Sequence, residues 1–243
     1  VIEIRNLHKA FREPVLQGVE LTVPQGCLYG LIGPGASGKS VLLKHIVGLM
    51  RPDKGTVIVD THDVFKMSDL ELQGFRKRFG IAFQNNALFD HLSVGENIAF
   101  PLRRLYKDMT EQEIQDRVDD RLKAVSLAGM QDRSPPSLSG GQKRRVGVAR
   151  ATVARPPILI YDEPAAGLDP VTSQKIFDLL KKEKGEATVL MVSSDLDRML
   201  TVTDRVGMML EGRMIFDGTT EQAKTSTNEY VRQFVHGLTE GPL

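Results

Sequence analysis

Residues 31–49 read LIGPGASGKSVLLKHIVGL, two apolar runs held apart by a segment that holds three glycines, a lysine and two serines. That segment is Gly33, Pro34, Gly35, Ala36, Ser37, Gly38, Lys39 and Ser40, and its spacing is G-x-x-x-x-G-K-[ST]. The run before it reads as a strand. After it, Val41, Leu42, His45, Ile46 and Leu49 recur at helical spacing. Strand, loop and helix in that order form the context in which this spacing grips phosphates. The glycines let the backbone curl so that successive N–H groups point inward, and the helix N-terminus adds positive potential. Lys39 can then reach β- and γ-phosphates and Ser40 can ligate Mg²⁺. The stretch is therefore read as a phosphate grip rather than a flexible turn.

Working outward, VIEIRNL, VELTVPQG, CLYGLIG and GTVIVD read as strands, with a turn at Pro24-Gln25-Gly26. The middle is more helical. In MTEQEIQDRVDDRLKAVSL the residues Ile114, Val118, Leu122 and Val125 share one helical face, and Thr110 with Glu113 forms a capping box. RSPPSLSGGQ breaks the chain, and a second helix is expected through QKRRVGVARATVA. This helical insert, residues 86–150, reads as a subdomain. The strand ILIY, a helix at VTSQKIFDLLKKEK, the strand TVLMV and strands at VGMML and RMIF restore α/β order. Continuous apolar runs such as Ile158–Tyr161 suit strands covered on both faces, hence a mostly parallel sheet. The polar tail from Thr225 is expected to form a docking helix.

The bulk numbers narrow the function classes. With 32 basic and 31 acidic residues the formal charge is +1, which gives no global reason to expect nucleic acid as a partner. The run Lys143-Arg144-Arg145 is the one local hint of it, and such runs are usually a solvated helix face. A single cysteine, Cys27, allows no internal disulfide and suits a reduced, cytosolic setting. No run approaches the roughly 20 apolar residues that cross a bilayer, and Val1-Ile2-Glu3-Ile4 reads as a strand, not a signal peptide. The chain by itself is expected to be soluble, and its start at Val1 reads as a trimmed chain or a fragment.

Four further stretches carry chemistry. ILIYDEP is an apolar strand ending in Asp162-Glu163: one carboxylate can hold a magnesium shell and the next polarise a water, or the pair can cap the following helix. LSGGQ, Leu138 to Gln142, offers backbone amides at a helix start as a second anion site, or is an ordinary Ser-capped helix. FQNNALF places Gln84 at the end of the strand GIAF, where its amide could touch both metal and water. AGLDP puts Asp169 in a turn.

Together, and in this order, these motifs resemble the nucleotide-binding subunit of an ATP-binding cassette (ABC) transporter over essentially the whole chain. The resemblance implies an α/β P-loop NTPase fold with a mostly parallel core sheet, an antiparallel β subdomain and a helical subdomain carrying LSGGQ. Residues 1–85 and 151–224 would form the core with its antiparallel part, 86–150 the helical subdomain and 225–243 the tail. It implies two copies joined head to tail around two ATP molecules. Each ATP would lie between the Gly33–Val41 loop of one copy and Ser139, Gly140, Gly141 and Gln142 of the other. Phe11 would stack on adenine, Asp162 and Gln84 would join Ser40 at Mg²⁺, Glu163 would be the general base, and Asp169 would link the two sites. RKRFGIAFQNNALFDHLSVGENIAFPLR and the tail EYVRQFVHG are similar to the ATPases of the Mla/Mce lipid-trafficking transporters. That points to an integral membrane permease received near Leu88 and Phe89, with lipid-binding proteins as further partners, at the cytoplasmic face of a membrane. The bland reading of Leu88 and Phe89 is packing within the subdomain.

Three residues depart from the family pattern, one of them Val41, which stands where a threonine usually follows the loop serine. Ala36 stands where a glycine is usual, so a left-handed backbone there would cost about 1–2 kcal/mol unless Gly35 takes up the demand. Ser194 stands where a histidine normally contacts the γ-phosphate. Its hydroxyl is too short for that reach without a bridging water, and losing such a donor commonly costs about 10²–10³ in rate. Two functions are thus weighed: a transport ATPase, and a hydrolysis-poor ATP-dependent scaffold motivated by Ser194.

Overall fold

The computed structural model describes residues 1–82 and 87–243. Ile2, Ile4 and Leu7 of β1 (Ile2–Ala10) are all buried, although strict alternation would send Leu7 outward. Asn6, at φ +46°, resolves the conflict: the register shifts between Ile4 and Leu7, and the irregularity turns Leu7 inward. β1 pairs antiparallel with β2 (Pro14–Val23). After β3 (Leu28–Ile32) and α1 (Lys39–Ile46) come β4 (Lys54–Val59), antiparallel to β1, and the short β5 (His62–Asp63), antiparallel to β4. The helix α2 (Asp69–Arg76) ends this stretch.

The chain then continues through β6 (Phe79–Ala82), α3 (Val94–Leu105), α4 (Glu111–Ala124), α5 (Gly140–Thr152), β7 (Ile158–Asp162) and α6 (Pro170–Lys184). It closes with β8 (Thr188–Val192), α7 (Leu196–Val202), β9 (Arg205–Leu210), β10 (Arg213–Thr219), α8 (Thr220–Lys224) and α9 (Glu229–His236).

These elements fall into two units. The first is Val1–Arg76 with Glu186–Leu243. It contains the four-stranded antiparallel sheet β2-β1-β4-β5, and it sets β3 parallel to both β8 and β9, with β10 antiparallel to β9. Every residue of β3 and β8 is buried, as the unbroken apolar runs require. The tail does form a docking helix: α9 buries Val231 and Val235 and is capped by Asn228.

The second unit is Lys77–Gly185, in which β6 runs parallel to β7 and Ile98 of α3, Val146 of α5, Ile160 of β7 and Phe177 of α6 are all buried. The capping box expected at Thr110 and Glu113 is present, and Ile114, Val118, Leu122 and Val125 are buried together. In the same unit Arg121 of α4 pairs with Glu183 of α6, a carboxylate only 7% exposed.

Candidate functional site

In the first unit the loop between β3 and α1 has a tightly determined backbone. Gly33 sits at φ +139°, and a Cβ there would lie 2.0 Å from the carbonyl oxygen of Met209. Gly38 caps α1 at φ +99°, with Leu16 Cδ2 and the Val15 oxygen closing on its Cβ position. Lys39 folds back over the loop, donating to the carbonyl oxygens of Gly33 (2.8 Å) and Pro34 (2.7 Å) and to Ser37 Oγ (3.0 Å). Its ammonium is thereby aimed at the loop's concavity, while Ser37 is buried beneath and Ser40 is exposed at the helix start. Ala36 adopts φ +60°, whereas Gly35 takes no positive φ and has open space around it. The demand for a left-handed backbone has not moved to Gly35; alanine bears it.

Three other expected residues of this unit are also defined. Phe11 is 59% exposed with Lys9 Nζ 5.7 Å from its ring centroid, so it is not a core phenylalanine and presents an aromatic face to solvent. Val41 is half-buried, and its carbonyl accepts a 2.7 Å bond from His45 Nδ1. Ser194 is exposed beside the start of α7.

In the second unit β7 delivers Asp162, 8% exposed, at its C-terminal end. Glu163 follows at φ +53°, a backbone that non-glycine residues seldom adopt. The pair does not cap the next helix. That cap is Asp169, whose Oδ1 accepts from the amides of Val171 and Thr172, both at 3.0 Å. Hydrogen bonding from the Thr172 side chain first, and then from the Thr172 and Val171 amides, holds the Asp169 carboxyl below the usual carboxylate range.

The start of α5 bears out the Ser-capped reading of LSGGQ. Ser139 Oγ accepts from the Gln142 amide (3.3 Å) and Gln142 Oε1 accepts from the Ser139 amide (2.9 Å), a reciprocal capping box. Ser139 and Gly140 are nevertheless exposed, and Gly141 is half-buried. Gln84 lies among residues 83–86, outside the described residues.

Leu88 and Phe89 are half-buried; Phe89 packs on Phe100 (4.8 Å between centroids) and His91 (5.9 Å). Sequence reasoning missed what holds them. Asn97, fully buried in α3, accepts from the Phe89 amide and donates to the carbonyls of Phe89, Leu92 and Ser93, at 2.9–3.2 Å. Its signal was a lone amide on the apolar stripe of Val94, Ile98 and Leu102. The basic run was also misread. Arg144 and Arg145 are not a solvated face: Arg144 donates to the Ala166 carbonyl, and Arg145 to those of Gly141, Val125 and Ser126.

Among the described residues no three or more His, Cys, Asp or Glu side chains cluster as a self-sufficient metal site. Ser40 and Asp162 are hard oxygen donors of the kind Mg²⁺ takes alongside substrate phosphates, which need no such cluster. No helix among those residues is long and apolar enough to cross a membrane.

A family model described as "ABC transporter" matches residues 16–166. "Probable ribonucleotide transport ATP-binding protein mkl" of Mycobacterium tuberculosis is 40% identical over 247 residues, covering 100% of this chain and 68% of that one. "Intermembrane phospholipid transport system ATP-binding protein MlaF" of Haemophilus influenzae is 35% identical over 246 residues, covering 100% of this chain and 93% of that protein. Among solved structures, a dimeric post-hydrolysis state of the ATP-binding cassette MJ0796 bound to ADP and Pi superposes with a TM-score of 0.84 at 31% identity, covering 90% of this chain and 99% of that one. None of these relatives favours a hydrolysis-poor scaffold.

Proposed function

The chain belongs to the ABC transporter family as an ATP-binding and ATP-hydrolysing subunit, and from that premise we propose that it powers movement of a phospholipid or similar apolar solute through a partner permease. The solute class rests on the MlaF relative, which matches this chain from end to end. The ATPase cycle rests on one observation above all: the chain carries both a phosphate cradle with its lysine folded over it and a signature helix whose Ser139 and Gly140 face solvent.

Each half of that pair supplies what the other lacks. The Gly33–Val41 loop of one copy binds the triphosphate through its amides and Lys39, and Ser139–Gln142 of a second copy closes over the terminal phosphate. Phe11 stacks on the base, and its exposure suits that role. Ser40, Asp162 and Gln84 are the residues that would hold Mg²⁺, which would supply positive charge against the phosphates. Glu163 takes the proton of the attacking water. Ser194 contributes only through an intervening water, its hydroxyl being too short for direct contact. Asp169, at the start of α6, reports on the neighbouring site. The half-buried Leu88 and Phe89, beside a pocket of about 360 Å³ lined in part by His91, Phe100 and Arg103, receive the permease at the cytoplasmic face of the membrane. Lipid-binding proteins complete the assembly.

The test is Glu163→Gln. It should abolish turnover yet trap an ATP-dependent dimer, and the parent should co-purify with a permease. A variant that turns over normally and stays monomeric with ATP defeats the reading.

A further inference from the structure

The basic run left over from the sequence has a definite destination. Arg144 lies one turn into α5, and its Nη2 donates to the carbonyl of Ala166 at 2.8 Å. Ala166 belongs to the segment between Asp162 and α6, and that segment is wound tightly. The Ala166 amide donates to the Glu163 carbonyl (3.3 Å) and the Leu168 amide to the Ala165 carbonyl (3.2 Å). Two left-handed residues, Glu163 at φ +53° and Gly167 at φ +74°, bracket Ala166. Glu163 also acts on Arg144 through space: burial pulls the guanidinium's pKa down and the Glu163 carboxylate pushes it back up.

The same helix touches the segment a second time. A Cβ on Gly141 would lie 3.1 Å from Thr172 Cγ2 and 3.8 Å from Leu168 Cδ2. Thr172 is the residue whose amide holds Asp169. Within one unit, then, the signature helix is braced against the turn that carries Glu163 and Asp169, at its first turn by shape and at Arg144 by a charged hydrogen bond. A left-handed glutamate has no intrinsic preference for that backbone, so an outside brace must hold it.

We infer that Arg144 is a positioning residue that ties the signature helix to the Glu163 turn of its own subunit, so that engagement of Ser139–Gln142 by one ATP sets the general base for the other. This builds on the proposed ATPase cycle, because only in a head-to-tail pair do the Ser139–Gln142 segment and the Glu163 turn of one subunit serve different nucleotides. Arg144 touches no substrate in this scheme; it acts through Ala166 and Glu163.

The experiment compares the parent, Arg144→Ala and Arg144→Lys for ATP turnover against ATP concentration, with the Glu163→Gln and Glu163→Gln/Arg144→Ala proteins scored for ATP-dependent dimerisation. Arg144→Ala should lower kcat by about tenfold or more, as a misplaced catalytic group does, with KM changed by less than about threefold. Cooperativity in ATP should flatten, and the double variant should still dimerise. Arg144→Lys, which keeps a cationic donor, should recover most of the loss, a rescue that also guards against misfolding of the alanine variant. An unchanged kcat, a loss confined to KM, or a lysine variant no better than alanine overturns the inference. Failure of Glu163→Gln itself to dimerise is a different result: it removes the cross-site part together with the proposed cycle, while the kcat comparison still decides whether Arg144 positions Glu163.

Discussion

Replacing Ala36 by glycine should make the protein more stable without making it bind ATP better. Ala36 holds φ +60° while its neighbour Gly35, which could have taken such a backbone freely, does not. An L-residue in the left-handed region costs about 1–2 kcal/mol. Glycine removes that cost but gives the unfolded chain extra freedom worth about 0.4–1 kcal/mol. At the middle of each range the net gain is about 0.8 kcal/mol, or an upward shift in Tm of about 2–3 °C for a chain of this size. No packing term intervenes, because Ala36 is exposed. Nucleotide-free thermal and denaturant unfolding of parent and Ala36→Gly measure the gain. ATP affinity should change by less than about threefold, since strain present both before and after binding cancels from the difference (threefold is about 0.65 kcal/mol). A variant that is less stable than the parent refutes the strain assignment. One that is equally stable but binds ATP about tenfold more tightly shows that the strain arises on binding.

Gly33→Ala should do the opposite: its Cβ would meet the Met209 oxygen at 2.0 Å, an oxygen fixed in β9, and overpacking plus the positive φ sum to about 3 kcal/mol or more. Loss of both stability and ATP binding is expected, and a parental melting curve would contradict it. Asn97→Asp keeps the shape but points a carboxylate at three carbonyls, removing the side-chain donor to the Phe89, Leu92 and Ser93 oxygens, of which Phe89 and Ser93 keep backbone donors from Leu92 and Asn97; a cost of about 3 kcal/mol and protease cleavage within residues 87–93 are expected, with intact protection as the opposing result. His45 is buried, and burial depresses its pKa below the ordinary 6.5. The unfolded chain therefore binds a proton that the fold refuses, so stability is full above about pH 6.5 and falls as the pH drops below it. The carboxylates held low by hydrogen bonds, such as Asp53, Glu71 and Asp169, add their own loss only near and below about pH 4. His45→Leu should flatten stability between about pH 5 and 6.5, the range between the two sets; an unchanged slope there refutes the assignment.

The phosphate loop was legible because its chemistry is contiguous. Eight residues carry the curl, the lysine and the hydroxyl, and the flanking periodicity says strand before and helix after. The capping box at Thr110 and the serine cap at Ser139 were legible for the same reason, each being written within four residues, although the return bond from Gln142 was not read. Asp169 was placed in the right turn but not as the cap of α6, because a nearer acidic pair competed for that role on paper and only the path of the chain after β7 decides between them.

What escaped the sequence is of one kind: polar side chains whose partners are backbone atoms of another element. Asn97 and Arg144 each bond carbonyl oxygens, and carbonyls carry no residue identity to recognise. Arg144 and Arg145 looked like solvated charge because a run of like charges states its valence and not what it faces. The left-handed backbone at Glu163 was hidden for a related reason, and at Ala36 the sequence left it open between alanine and Gly35. Glycine announces such a conformation, whereas alanine and glutamate adopt it only when their surroundings compel it. At Glu163 the compelling surroundings are identifiable: the turn closed by Ala166, and Arg144 holding that turn from α5. The strained residue and the misread cation are thus joined through Ala166, and the residues that the sequence explained least well are the ones that tie α5 to the turn carrying the acidic pair.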